Sequence, residues 1–122
     1  MTQTILLIED NEQNRYLATF LLEARDYAVT PACDGAEGIA LAGRILPDLI
    51  LLDIQLPIMD GYAVARELRR NPALTDIPIV AVTSYAMTGD REKAIAAGCN
   101  GYIEKPINPE TFVAEIERYL KA

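Results

Sequence analysis

The sequence predicts one α/β domain built on a parallel sheet with helices on both faces, and three observations carry that expectation. Apolar segments alternate with segments of helical periodicity, about five of each, over short connections. The runs at 49–52 and 77–82 are continuously apolar, as in strands covered on both sides. Strand after strand then runs into a carboxylate, a hydroxyl or a lysine. In a parallel sheet those residues share the carboxyl edge, where loops converge over ligands.

Taken in order, Thr4-Ile5-Leu6-Leu7-Ile8 reads as a buried strand that ends at Glu9-Asp10, with Asn11 placed to cap the first helix. Leu17, Phe20, Leu21 and Ala24 recur at helical spacing over 12–25, where Glu12, Asn14, Arg15 and Glu23 supply the polar positions. The next strand, 28–32, contains Pro31, which lacks a ladder N–H and places the strand at a sheet edge. Asp34 and Glu37 have capping-box spacing, and Ile39, Ala40 and Gly43 are expected to form a narrow inward face before Pro47 stops the helix. The central strand, 49–52, delivers Asp53, and Pro57 with Asp60-Gly61 ends regular pairing.

A third helix is expected over 62–70, with Ala65 and Leu68 inward, Glu67, Arg69 and Arg70 outward, and Asn71-Pro72 as its stop. The strand at 77–82 delivers Thr83 and Ser84. An alanine-rich helix over 90–97 closes on Gly98, and its apolar face is weak. A last strand, 101–104, stops at Lys105-Pro106. Asn108-Pro109 then opens a final helix with Phe112, Val113, Ile116, Tyr119 and Leu120 on its apolar face.

Composition narrows the function. A length of 122 residues and 51% hydrophobic content suit one domain, 1–122, with a single core. Eleven basic against eighteen acidic residues give a net charge of -7, which repels nucleic acid and anionic membrane surfaces. No apolar run approaches the roughly 20 residues of a membrane span, so a soluble cytoplasmic protein is expected. The spacing of Cys33 and Cys99 is unlike that of metal ligands, and each is expected to be a free thiol filling a small buried gap. The chain contains no histidine, which removes Ser-His-Asp and Cys-His chemistry.

The strand ends together supply Glu9, Asp10, Asp53, Thr83 and Lys105, which are the parts of a phosphoryl-transfer site. Each has a plainer reading as a helix opener, a β-former or a solvated charge; all of them falling on one sheet edge by accident is much less plausible. Three carboxylates sharing a site repel one another and call for a cation, and all-oxygen ligands favour Mg²⁺ or a similar hard ion. Asp53 is then the nucleophile, Lys105 neutralises incoming phosphoryl oxygens, and the Thr83 hydroxyl donates to another.

At these motifs the chain resembles the receiver domains of two-component response regulators, of the single-domain chemotaxis-regulator type. The matching residues are Leu7-Ile8-Glu9-Asp10-Asn11, Asp48 through Asp53, Leu56-Pro57, Met59-Asp60-Gly61, Ala81-Val82-Thr83-Ser84, Gly98 and Lys105-Pro106. The resemblance implies a flavodoxin-like, doubly wound five-stranded sheet of order 2-1-3-4-5. It further implies a phosphoprotein of the phosphorelay, with Asp53 accepting phosphate from a sensor histidine kinase or histidine phosphotransfer protein. Mg²⁺ would be held by Glu9, Asp10, Asp53 and the backbone carbonyl of Gln55. Also implied are a cis Lys105-Pro106 bond, a switch made of Thr83 and Tyr102, and a target-binding face on the fourth helix, last strand and last helix. A monomer or weak phosphorylation-dependent dimer is expected, and Cys33 and Cys99 should lie too far apart to bond.

Two rival functions share parts of this pattern. A flavodoxin-type cofactor binder needs a glycine- or hydroxyl-rich phosphate cradle after the first strand, where this chain has Glu9-Asp10-Asn11-Glu12. Phosphatases with an aspartyl nucleophile carry a second carboxylate two residues on, where this chain has Gln55. The chain is therefore expected to be no enzyme beyond its own phosphorylation and slow dephosphorylation. It is either a stand-alone regulator acting through protein contacts or a receiver cut from a hybrid histidine kinase. Gln55 and Tyr85 flank the site; the Gln55 amide is placed to help orient a water, and a Tyr85 ring over the phosphoryl group would shield it from water.

Overall fold

Five parallel strands form one sheet in the order β2-β1-β3-β4-β5. The strands are β1 (Thr4–Ile8), β2 (Ala28–Ala32), β3 (Leu49–Asp53), β4 (Ile79–Thr83) and β5 (Gly101–Glu104). The helices are α1 (Glu12–Glu23), α2 (Gly35–Ile45), α3 (Gly61–Arg69), α4 (Asp90–Ala97) and α5 (Phe112–Glu117), with a 3₁₀ turn at Pro72–Leu74. This computed structural model describes residues 2–84 and 89–120.

Period-two alternation along the inner strands builds two core layers. Leu6, Ile8, Ile50, Leu52, Ile79 and Ala81 face one way and pack under α2, α3 and α4 through Ala42, Val64, Leu68 and Ala94. Ile5, Leu7, Leu49, Leu51, Val80 and Val82 face the other way, under Ala18 and Leu22 of α1 and Phe112 and Ile116 of α5. Every residue of β3 and β4 is buried for this reason. β2 lies at the edge, as Pro31 requires.

The chain moves outward from β1 to β2 and returns to β3 on β1's other side, so the connections leave in opposite directions above β1 and β3. Such a reversal opens a crevice at the strands' carboxyl ends. Glu9 and Asp53 flank it.

Local caps follow the sequence with some departures. Asn11, Asp34 and Asp60 each accept a hydrogen bond from the backbone N–H three residues on. Glu37, however, reaches back to the N–H of Cys33 rather than of Asp34 (2.6 Å). Gly98, at φ 111°, closes α4 in a left-handed conformation.

Several expectations are corrected. On the first helix the buried residues are Ala18 and Leu22, while Phe20 and Ala24 are exposed and Leu17 and Leu21 only partly buried. The buried face of α2 is Gly35, Gly38 and Ala42, while Ala40 and Gly43 are exposed and Ile39 only partly buried. This helix lies so close to β1 that a Cβ on Gly38 would strike the Ile8 side chain. Arg69 turns inward and donates to the carbonyls of Gly98 (2.9 Å) and Leu74 (2.8 Å) and to Asn100 Oδ1 (2.6 Å), tying α3 to the start of β5. Cys33 is exposed, not buried; Cys99 is buried as expected. The last helix begins at Phe112, because Asn108 caps a preceding turn in which its Oδ1 takes the Glu110 N–H and its carbonyl the N–H groups of Thr111 and Phe112.

Candidate functional site

β1 ends one residue before Glu9, whose N–H donates to the Ala32 carbonyl and so extends the ladder on the β2 side (3.0 Å). That pairing turns the Glu9 side chain into the crevice, where it is buried. Asp10 is the next residue and is exposed. Arg15, read from sequence as an ordinary polar helix position, reaches back from α1 to the carbonyls of Glu9 (3.0 Å) and Asp10 (3.1 Å). It fixes the loop that aims both carboxylates.

Asp53 closes β3 opposite Val82 and is buried. Its Oδ1 accepts from the Gln55 N–H at 3.0 Å. Lys105, just after β5, brings Nζ to 3.0 Å from Glu9 Oε1 and 3.3 Å from Asp53 Oδ1. The Lys105-Pro106 bond is cis, as the resemblance implied. Carboxylate oxygens of Glu9, Asp10 and Asp53 lie within 4.8 Å of one another.

One lysine does not balance three carboxylates, and Glu9 shows the strain. Burial, then the hydrogen bond to Asp53 and its charge, push the Glu9 carboxyl up to about 7, while Lys105 and the Asn11 N–H pull the other way. A close set of hard oxygen donors with surplus negative charge is the donor chemistry a divalent cation such as Mg²⁺ needs. Glu9, Asp10 and Asp53 therefore fit such an ion.

Thr83 ends β4 and is buried. Sequence reasoning missed its connection to Gln55: the side-chain Nε2 of Gln55 donates to Thr83 Oγ1 at 2.5 Å, and its Oε1 accepts the Ser84 N–H at 2.9 Å. The amide expected to orient a water is thus engaged at both ends, by the last residue of β4 and the residue after it. No local pattern announces this, since the contact joins residues 28 apart in the chain.

Tyr102 on β5 pairs in register with Ala81, and Thr83 with Glu104, so Thr83 and Tyr102 lie on the same face of the sheet. Burial first, then the charges of Asp90 and Glu104, push the Tyr102 phenol upward. Tyr85 lies outside the described residues.

The sequence profile of the response regulator receiver domain matches residues 5–117. The polar-differentiation response regulators DivK of Brucella ovis and Brucella anthropi are each 42% identical over 120 residues, 98% of this chain and 98% of theirs. Chemotaxis protein CheY4 of Vibrio cholerae is similar in structure with a TM-score of 0.94 at 28% identity, covering 98% of this chain and 100% of that one. The receiver domain of the Pseudomonas aeruginosa PAO1 sensor histidine kinase PA1611, solved with a magnesium ion coordinated in its active-site cleft, gives a TM-score of 0.89 at 37% identity over 98% of each chain. No helix among the described residues is long and apolar enough to cross a membrane. The doubly wound sheet, the acidic crevice at its switch point and these matches converge on signalling rather than on an enzyme family. The chain belongs to the response regulator receiver domain family, whose members work in phosphorelay signalling with histidine kinases and downstream targets.

Proposed function

We propose that Asp53 accepts a phosphoryl group from a phosphohistidine on a sensor histidine kinase or histidine phosphotransfer protein, and that residues 1–122 act as one receiver unit presenting an altered surface to a downstream target. The observation that carries this reading is the Asp53 carboxylate, buried at the end of the central strand and held 3.3 Å from Lys105 Nζ inside an acidic cluster. An Asp53 oxygen attacks phosphorus, the new O–P bond forms as the P–N bond breaks, and the imidazole leaves with its electron pair and takes up a proton. The 122 residues contain no histidine, so the donor lies outside them.

Glu9, Asp10, Asp53 and the backbone carbonyl of Gln55 would hold Mg²⁺, which when bound supplies positive charge to the phosphoryl oxygens. The magnesium in the PA1611 receiver supports that choice. Lys105 neutralises a further oxygen, and the Thr83 hydroxyl moves in to donate to another. Tyr102, on the same sheet face, turns inward as Thr83 leaves its place. The surface thereby remodelled is that of α4, β5 and α5, where a cleft of about 470 Å³ opens between Arg91, Tyr102, Glu104, Arg118 and Tyr119. The net charge of -7 favours protein partners over nucleic acid, in a cytoplasmic setting, as a monomer or weak phosphorylation-dependent dimer.

With Mg²⁺ and a small-molecule phosphodonor, wild type should take up one phosphoryl equivalent by intact mass and Asp53→Asn none. Undiminished labelling of Asp53→Asn would remove Asp53 from the mechanism. Sustained turnover of a phosphate monoester would instead mark a phosphatase, a reading the Gln55 amide disfavours because it occupies the position of the needed general acid.

A further inference from the structure

We propose that Gln55 is a latch: its side chain holds Thr83 and the start of the β4–α4 connection in the resting position, and activation requires its release. This deepens the reading of Asp53 and Thr83 above and rests on it. The Ser84 N–H can only donate, so the amide end facing it at 2.9 Å is the oxygen, and the end facing Thr83 Oγ1 at 2.5 Å is Nε2. The same residue donates its own N–H to Asp53 Oδ1 at 3.0 Å. One residue therefore grips the phosphoacceptor through its backbone and the switch hydroxyl through its side chain.

Phosphorylation demands that Thr83 Oγ1 move toward the phosphoryl group. Its bond to Nε2 must then break. Ser84 is the next residue and is carried along, so its bond to Oε1 is strained by the same movement. The released side chain has somewhere to go, because a cleft of about 350 Å³ adjoins it, bordered by Leu56, Asp60, Tyr62 and Asp90. Gln55 is thus a positioning residue that biases the resting equilibrium against the active arrangement.

The sign of one substitution separates a latch from a mere structural tie. Removing a tie loosens the site and weakens binding of a phosphoryl analogue; removing a latch raises the competent fraction and tightens it. Gln55→Met, titrated with beryllium fluoride in Mg²⁺ and followed by NMR, should bind on the order of fivefold more tightly than wild type, the effect of one net hydrogen bond. Equal or weaker binding overturns the latch.

A second measurement uses wild type alone. The Gln55 side-chain amide protons should exchange slowly at rest and become solvent-like once beryllium fluoride is bound, and unchanged protection would overturn the proposal. Wild type that takes up neither beryllium fluoride nor phosphate would overturn the Asp53 reading and the latch with it. Normal uptake with a failed sign or protection test overturns the latch alone.

Discussion

Replacing Lys105 with methionine tests the electrostatic core of the site, because it removes an ammonium that bridges two buried carboxylates. The side chains of Lys105, Glu9 and Asp53 are only 12%, 6% and 3% exposed, so solvent does little of the screening. Breaking such a pair by removing one partner costs about 3 to 5 kcal/mol when nothing else compensates. Here Glu9 compensates in part by keeping a proton.

Its folded-state value of about 7 lies above the ordinary 4.5, so the wild-type contribution of this group falls as pH rises from 4.5 to 7 and is level above that. Without Lys105, which lowers the Glu9 value, the proton is held to higher pH and the decline continues, by up to about 1.4 kcal/mol per further pH unit. The variant should therefore be destabilised by about 2 kcal/mol at pH 6, under the uncompensated figure, and by about 3 kcal/mol at pH 8 in EDTA, at its lower end. For a domain of this length that is roughly 8 and 12 °C in Tm. Saturating Mg²⁺ should narrow the gap by supplying the missing charge. Thermal unfolding followed by circular dichroism at both pH values, with and without Mg²⁺, decides the matter. A destabilisation that does not grow between pH 6 and pH 8 would refute the argument.

Other expectations rest on the same geometry. Asp10→Asn should lower Mg²⁺ affinity by about tenfold or more and slow phosphorylation while leaving the fold intact, since Asp10 is exposed; an unchanged Mg²⁺ titration would count against its place in the site. With a thiol reagent at pH 8, Cys33 should react and Cys99 should not, because burial pushes the Cys99 thiol up to about 11 and covers it; two fast equivalents by mass would contradict that.

Strand bounds could be read because a buried parallel strand is a run of apolar residues on both faces, and such a run stops at its first polar residue. Thr4–Ile8 is found where the sequence placed it, stopping before Glu9. Ala28–Ala32 and Gly101–Glu104 also lie where expected, but the first is partly exposed with Thr30 inside it and the second ends on exposed Glu104, so Pro31 and Lys105-Pro106 were the signals there. The residues that gather at the crevice were legible in a similar way: Glu9, Asp53, Thr83 and Lys105 each end a strand or immediately follow one, and Asp10 is one residue further on. Helix faces were harder. On α2, counting apolar residues selects Ile39, yet the packed face is Gly35, Gly38 and Ala42, because what decides is how closely the helix backbone lies on β1. Arg69 shows only a charge in the sequence, while the carbonyls it satisfies belong to a helix end and a turn that only the tertiary fold brings near. Gln55 is the same case at the site. Its partners on β4 depend on the path of the loop after β3, which no spacing rule encodes.

Charge balance leads to the last prediction. Three ionised carboxylates and Lys105 leave the crevice at a formal charge of about minus two, and a divalent cation brings it to neutrality before the phosphoryl group adds charge of its own. Without the cation, a proton on Glu9 does half of that neutralisation; burial first, and then the hydrogen bond to Asp53 and its charge, raise its value to about 7. Proton and Mg²⁺ therefore compete for one carboxylate, and binding the metal must expel the proton. At pH 6 Glu9 is mostly protonated, so Mg²⁺ should release most of a proton; at pH 8 the release should be much smaller, and the affinity should rise between the two. Calorimetry in buffers of different ionisation enthalpy measures this release directly. Glu9→Gln carries no such proton and should show no release attributable to this position at either pH. Wild-type Mg²⁺ binding without proton release at pH 6 would mean that Glu9 is already ionised in the metal-free crevice, contrary to this charge balance.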